Sequence, residues 1–191
     1  MACPVPDLFL IGAQKAGTTT LARHLVAVPG IESFAGAKEP NLFLPDDLDT
    51  CRRALAAAAG AARGQHDGTA RYRLDASVNY TRWPLFPEVA RNIRALVAAP
   101  RFVYLMRDPV ERTISHYFWS RERYGEADPL MRAVQADRRY VDPGLYDVQI
   151  RRYLDLFPRA SVLFVEHDRY FRDPASGLRE IAALWGVTER T

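Results

Sequence analysis

The sequence predicts an α/β protein of three layers, a central parallel sheet flanked by helices. Three observations carry that reading. Short apolar runs alternate with segments of helical periodicity along the chain. The runs "DLFLIG" and "RFVYLM" are almost wholly apolar, as strands covered on both faces are. Each leads into a turn that opens a helix, by way of glycines after the first and Asp108-Pro109 after the second. Repeated strand–helix units imply right-handed crossovers, and ligands then bind beyond the carboxyl ends of the strands.

In order, Asp7 to Gly12 is the first expected strand, and "TTTLARHLVAV" is a helix with Leu21, Leu25 and Val28 on one face. "GIESF" suits a second short strand. "DLDTCRRALAAAAGAA" reads as an alanine-rich surface helix and "YRLDAS" as a strand. "LFPEVARNIRALVAA" is amphipathic, with Phe86, Val89, Ile93, Leu96 and Val97 inward. Arg101 to Met106 is the clearest strand. Asp108 is a natural N-cap for the helix that follows, Pro109 fits its first position, and Glu111 completes a capping box; the helix runs toward Gly125. "DPLMRAVQAD" is a shorter helix. "GLYDVQIRRYLDLFP" carries Tyr146, Ile150, Tyr153, Leu154 and Phe157 on one stripe. "SVLFVEH" is the last strand, and "DPASGLREIAALWG" is the last helix, with a glycine stop.

Residues 1–191 read as a single domain, long enough for a real core. No stretch approaches the roughly 18 apolar residues of a membrane span, and the start lacks the basic region and cleavage site of a signal peptide. Cys3 and Cys51 form no metal or disulfide pattern, and no other cluster of metal-ligand spacing is present. A cytoplasmic, bacterial protein is expected. The net charge of +3 is too small and dispersed to argue for nucleic acid. The make-up of the basic residues says more. Of 26 lysines and arginines only Lys15 and Lys38 are lysines, and each falls in a candidate anion motif. Lysine is a compact point charge on a flexible stem, whereas arginine is a wide planar fork.

"GAQKAGTTT" follows a strand and opens a helix, the context in which a glycine-rich loop is credible. Its glycines let backbone N–H groups approach an anion, the helix N-terminus adds partial positive charge, and Thr18, Thr19 and Thr20 add hydroxyls. A Walker loop would place lysine directly after the last glycine. Here Thr18 takes that place, and Lys15 sits in the middle of the loop. Arg107 lies at the tip of the best strand, and Ser115 sits eight residues on in the next helix; the pair can grip one phosphate.

These residues resemble the sulfotransferases that use 3′-phosphoadenosine 5′-phosphosulfate (PAPS). Lys15, Gly17, Thr18, Thr19 and Leu21 match that family's 5′-phosphosulfate loop. Arg107, Asp108, Pro109, Ser115 and Tyr117 match its 3′-phosphate motif. The likeness extends through "GLYDVQIRRYLDLFP", "VLFVEHDRYFRDP" and "LREIAALWG", nearly the whole chain. It implies a P-loop-like fold in which Lys15, Ala16, Gly17, Thr18, Thr19, Thr20, Arg107 and Ser115 bind PAPS and release the desulfated product, PAP, without a metal. "AKEPNLF" resembles the Lys-Glu-Pro segment of the branch that includes the heparan-sulfate enzymes. There the glutamate is the base, which makes Glu39 the candidate here, with Lys38 orienting it or stabilising sulfuryl charge. His116 is the second candidate base. Asp75, Ser77 and Tyr80 resemble a segment near the acceptor, with Val78 in place of the family's proline, and Tyr146 either lines the cleft or packs in the core.

The implied partner is a hydroxyl-bearing saccharide, lipid or natural product. Arg71, Arg73, Arg138, Arg139, Arg151 and Arg152 would suit an anionic acceptor, though solvated helix faces explain them as well. Similar proteins commonly continue with a basic loop over the adenine and 3′-phosphate. These 191 residues do not contain it, so a more open site or a shortened chain is expected. Two other readings stay open. One is a nucleotide kinase or NTPase with a divergent phosphate loop, and the other is a PAP-binding protein that has lost activity.

Overall fold

The computed structural model describes residues 5–36, 38–61 and 70–184. Five parallel strands form one sheet in the order β2-β3-β1-β4-β5: β1 Leu8–Gly12, β2 Ile31–Ser33, β3 Tyr72–Asp75, β4 Arg101–Met106 and β5 Val162–Glu166. The expected α/β architecture is therefore present. The central strand β1 is buried at every position. It pairs with β3 on one side and with β4 on the other, and a register irregularity between Leu10 and Gly12 loosens the β4 ladder where the chain leaves the sheet.

Apolar runs became central strands because both faces are covered. Phe9 is fully buried and packs against Phe43 and Phe102 at ring distances of 5.6 and 5.5 Å. Phe102 continues the aromatic chain to Phe157 and Tyr153, at 4.8 and 5.1 Å. Tyr117, Ala133 and Tyr140 form a smaller satellite cluster.

Eight α-helices are present among the described residues: α1 Thr18–Val26, α2 Leu48–Ala61, α3 Val89–Leu96, α4 Pro109–Tyr124, α5 Leu130–Ala136, α6 Tyr146–Leu154, α7 His167–Arg172 and α8 Pro174–Leu184. The cap of α4 forms as the sequence indicates. Asp108 Oδ1 accepts from the N–H groups of Val110 and Glu111, both at 2.9 Å, and Gly125 closes the helix in the left-handed conformation. Glu111 does not complete the box. Its carboxylate turns to the Arg107 guanidinium, at 3.0 Å, because a cation is a stronger partner than a neutral N–H.

Three expectations shift. The third helix begins at Val89, after Pro87, rather than at Leu85, which is exposed. Leu154 is exposed instead of inward: it lies about 100° around the helix from Tyr153, which takes the core position. The last strand ends at Glu166 rather than His167, which begins α7, a six-residue helix too short to show a period. The glycine stop after α8, Gly186, and Cys3 lie outside the described residues.

Gly12 sits where β1 meets the next loop. A Cβ there would lie 2.2 Å from Thr81 Oγ1 and 2.9 Å from the Tyr104 ring. Thr81 cannot easily retreat, because its hydroxyl donates to the Ile11 carbonyl at 2.6 Å. Gly12→Ala is expected to destabilise the fold by about 1–3 kcal/mol, seen as a lower urea midpoint with an unchanged slope.

Candidate active site

Strand order decides where a ligand can bind. From β1 the chain crosses toward β2 on one side, and from β4 it crosses toward β5 on the other. The crevice at such a reversal opens beyond the carboxyl ends of the two central strands. A cleft of about 570 Å³ lies there. The loop after β1 supplies Lys15, Gly17, Thr18 and Thr19, and the segment after β2 supplies Lys38 and Glu39. Arg107 and Ser115 come from the end of β4 and from α4. Four cations, Lys15, Lys38, Arg82 and Arg107, face one carboxylate, Glu39, so the cleft suits a polyanion.

The loop is built as an anion cradle. Gly17 has φ +90°, no side chain caps α1, and the first N–H groups of the helix are left for a ligand. A Cβ on Gly17 would come within 2.8 Å of the Phe171 ring of α7, so the loop has no room for a larger residue there. Lys15 is also left-handed, at φ +67°, and its amine lies 5.1 Å from the centre of the Trp119 ring. Burial pulls the Lys15 pKa down; Glu122 opposes the shift and Lys38 adds to it. The two lysines, distant in sequence, therefore sense each other across one site.

Arg107 is held through its backbone. The Tyr146 hydroxyl donates to the Arg107 carbonyl at 2.6 Å and accepts from its N–H at 3.3 Å. Tyr146 thus anchors the strand tip and does not line the cleft. The Arg107 side chain meets Glu111 Oε2 through Nε at 3.1 Å and Nη2 at 3.0 Å, and Nη1 is uncommitted among the described residues. Lys15, Arg107 and Ser115 also line an adjoining depression with Trp119, Phe118 and Glu122.

Lys38 and Glu39 form an ion pair in the cleft. Glu39 and Asn41 both adopt left-handed backbone, at φ +62° and +56°. Such strain in residues with a Cβ persists only where the surroundings hold it. The Glu39 N–H donates to the Ala76 carbonyl at 3.0 Å, and Asn41 Nδ2 donates to the Glu39 carbonyl at 2.9 Å.

Several expected residues stand elsewhere. Thr20 is exposed on α1 and Ala16 is fully buried; neither side chain lines the cleft. His116 is 2 % exposed, packs 5.1 Å from the Tyr140 ring and leaves Nδ1 without a partner. Burial and then Arg112 lower its pKa to about 3, so it is neutral and turned away from the cleft. Tyr117 is buried and donates to the Asp128 carbonyl. Asp75, Ser77 and Tyr80 are buried behind the Glu39 turn. Of the six outlying arginines none lines the cleft. Arg73, Arg138, Arg139 and Arg151 pair with nearby acids, and Arg152 lies 3.8 Å from the centre of the Trp83 ring.

The sequence reading missed Asn79, Arg82, Trp119, Tyr124 and His167, all of which line the cleft. His167 Nδ1 lies 2.7 Å from Asp168, and its ring lies 4.6 Å from Phe171, beside Gly17. Its place at a strand's carboxyl end was the available signal. Arg112 was missed too. It is fully buried, bonds the Tyr140 carbonyl, and reaches the Gln14 carbonyl of the loop at 3.5 Å. Among the described residues no group of three or more His, Cys, Asp or Glu side chains is placed to hold a metal. No helix among them is long and apolar enough to cross a membrane.

A family model described as a sulfotransferase domain matches residues 5–191. Mouse heparan sulfate glucosamine 3-O-sulfotransferase 3A1 is 25% identical over 201 residues, covering 96% of this chain and 46% of that protein. Human heparan sulfate glucosamine 3-O-sulfotransferase 6 is 26% identical over 198 residues, covering 95% and 52%. The chain spans about half the length of the curated relatives it matches. Among solved structures, a sulfotransferase from Alicyclobacillus acidocaldarius superposes with a TM-score of 0.81 at 24% identity, covering 98% of this chain and 83% of that one. The mouse sulfotransferase SULT7A1 complexed with PAP gives 0.62 at 16% identity, covering 97% and 60%. At these identities the superpositions establish a shared fold.

Buried His116 sets a test that does not involve activity. An unfolded histidine titrates near 6.5 and this one near 3. Between those values the unfolded chain binds a proton that the folded chain refuses, so this group makes stability fall as pH drops below about 6.5. Asp75 works in the opposite sense, since burial raises its folded pKa to about 6 from 3.8. Comparing a variant with the parent isolates the histidine. His116→Gln is expected to be less stable at pH 7.5, through lost packing, and the gap in urea midpoint should narrow by pH 5. A gap that stays constant contradicts a neutral, buried imidazole.

Proposed function

The chain belongs to the sulfotransferase domain family, and on that premise we propose that it moves a sulfuryl group from PAPS to an acceptor hydroxyl. The supporting observation is that Lys15, Lys38, Glu39, Arg107 and Ser115, drawn from three separate strand ends, line one cleft. Its excess of cations fits a nucleotide with phosphate at two positions and sulfate at one.

PAPS supplies an activated sulfuryl group on a phosphate leaving group. Lys15 and the N–H groups at the start of α1 neutralise charge gathering on the 5′-phosphate, aided by the Thr18 and Thr19 hydroxyls. Arg107 and Ser115 hold the 3′-phosphate and set the register of the nucleotide. His167 adds a contact on the Gly17 side. Glu39 accepts the acceptor's proton as the new oxygen–sulfur bond forms and the bond to the 5′-phosphate breaks. Lys38, already paired with Glu39, keeps that carboxylate aimed and meets negative charge on the sulfuryl oxygens. The work is positioning and electrostatics.

The acceptor we infer is a saccharide, lipid or natural-product hydroxyl. The names of the heparan-sulfate relatives favour a saccharide, as does the Lys38-Glu39-Pro40 segment. A non-catalytic PAP binder would have no use for a strained Glu39 paired with Lys38. We place the protein in a reducing cytoplasm, in keeping with the free, buried thiol of Cys51, and take residues 1–191 as one catalytic domain.

Labelled PAPS and a panel of hydroxylated acceptors test this reading, with mass spectrometry detecting the added sulfuryl group. Lys15→Ala is expected to lower kcat by about 10²–10³-fold, and normal turnover in that variant would falsify the assignment. Arg107→Ala should weaken PAP binding by about tenfold to a hundredfold in calorimetry, the worth of a charged hydrogen bond. Glu39→Gln should lower kcat by about 10²–10⁴-fold while PAP affinity stays unchanged.

A further inference from the structure

Asp75 is a fully buried carboxyl with no cation beside it among the described residues, at the end of β3 and directly behind the turn that carries Glu39. Burying a lone charge is costly, so a buried carboxylate needs its hydrogen bonds met. Asp75 receives two. Ser77 donates its hydroxyl to Oδ1 at 2.6 Å, and Tyr80 donates its hydroxyl to Oδ2 at 2.6 Å. Burial raises the carboxyl's pKa to about 6, which still leaves it largely ionised at neutral pH.

Each hydroxyl has one hydrogen and two lone pairs. An ionised Asp75 accepts only, so it draws both hydrogens inward and turns lone pairs outward. Those lone pairs meet N–H groups of the segment that follows Glu39. Ser77 Oγ accepts from Asn41 N at 3.0 Å, and Tyr80 OH accepts from Phe43 N at 3.4 Å. With the Glu39 N–H on the Ala76 carbonyl, residues 39–43 are clipped at three points to residues 76–80. Without those clips, the left-handed conformations of Glu39 and Asn41, which a Cβ disfavours, would relax.

We propose that Asp75 is the positioning residue for Glu39, acting through two hydroxyl relays, Ser77 to Asn41 and Tyr80 to Phe43. This rests on Glu39 as the base. Asp75 does not line the cleft. It fixes the polarity of both relays, so the carboxylate of Glu39 is presented from a turn that local preference disfavours. Asparagine in its place keeps the shape but turns one oxygen into a donor. One hydroxyl must then accept from the amide, and its own hydrogen loses the acceptor that had fixed the polarity of that relay.

The test uses the full chain and has two readouts. In residue-resolved hydrogen exchange, Asp75→Asn should speed exchange at Asn41 and Phe43 by at least about tenfold, with β1 and β4 amides unchanged. Ser77→Ala should speed Asn41 alone, and Tyr80→Phe should speed Phe43 alone, so a variant that folds poorly does not leave the question open. Turnover is followed with labelled PAPS and heparan sulfate, or with release to water where the saccharide is not taken. Asp75→Asn should lower kcat by about tenfold to a hundredfold, the scale of a misplacement near 1 Å, with KM for PAPS within twofold. Combined with Glu39→Gln it should add no further loss. The proposal is overturned if exchange at Asn41 and Phe43 is unaltered. It is equally overturned if Glu39→Gln is slow while Asp75→Asn turns over normally, or if the two losses multiply. Normal turnover of Glu39→Gln instead removes the base reading itself, and Asp75 then has no base to position.

Discussion

Parallel pairing of β1 with both β3 and β4 is the constraint from which the cleft follows. Parallel strands all point their carboxyl ends to one rim, so loops far apart in sequence converge there without long excursions. With β1 in the middle and crossovers leaving in opposite directions, the loop after β1 and the tip of β4 must face each other across a gap. Lys15 and Arg107, 92 residues apart, share a cleft for that reason. The burial of Phe9 among Phe43, Phe102 and Tyr80 stabilises the same pairing and ties the Glu39 segment to the central strands.

Around that gap, backbone strain and charge are concentrated together. Lys15, Glu39 and Asn41 are the non-glycine residues with positive φ among those described. Each is held by packing or hydrogen bonds, and the first two carry the charges that the proposed chemistry uses. Pre-formed geometry of this kind lowers the reorganisation left for the reacting state. The ion pairs Lys38–Glu39 and Arg107–Glu111 act in the same way, keeping long side chains in place. Lys15 is ordered differently, against an aromatic face, so its charge is left for a ligand.

Legibility in the sequence followed how local each signal was. The boundaries of β4 and the Asp108 cap were plain, because an apolar run followed by Asp-Pro is written in adjacent residues. Lys15, Gly17, Arg107 and Ser115 were found because strand–turn–helix context fixes where such residues point. Lys38 and Glu39 were reached through resemblance, and nothing local to "AKEPNLF" announces a strained turn. His116 shows the limit most clearly: adjacent to Ser115 in sequence, it points into the satellite cluster, and only tertiary packing makes that visible. Asp75, Ser77 and Tyr80 were assigned to the acceptor side, yet their hydroxyls and carboxyl face inward, because the chain turns out of β3 directly after Asp75. Arg82 and His167 belong to no short motif and reach the cleft only through the fold.

The contact between Phe171 and Gly17 has a consequence for how the protein is made. The loop at Gly17 leaves the ribosome before the ring that presses on it, which belongs to α7 and is synthesised more than 150 residues later. Until β5 and α7 dock, one wall of the cradle is missing, and His167 is absent from the rim. A nascent chain therefore carries the complete loop sequence through those residues without the finished cleft. A ligand held by the finished cleft can stabilise the protein only once α7 has docked, and up to that moment the sheet must assemble without it.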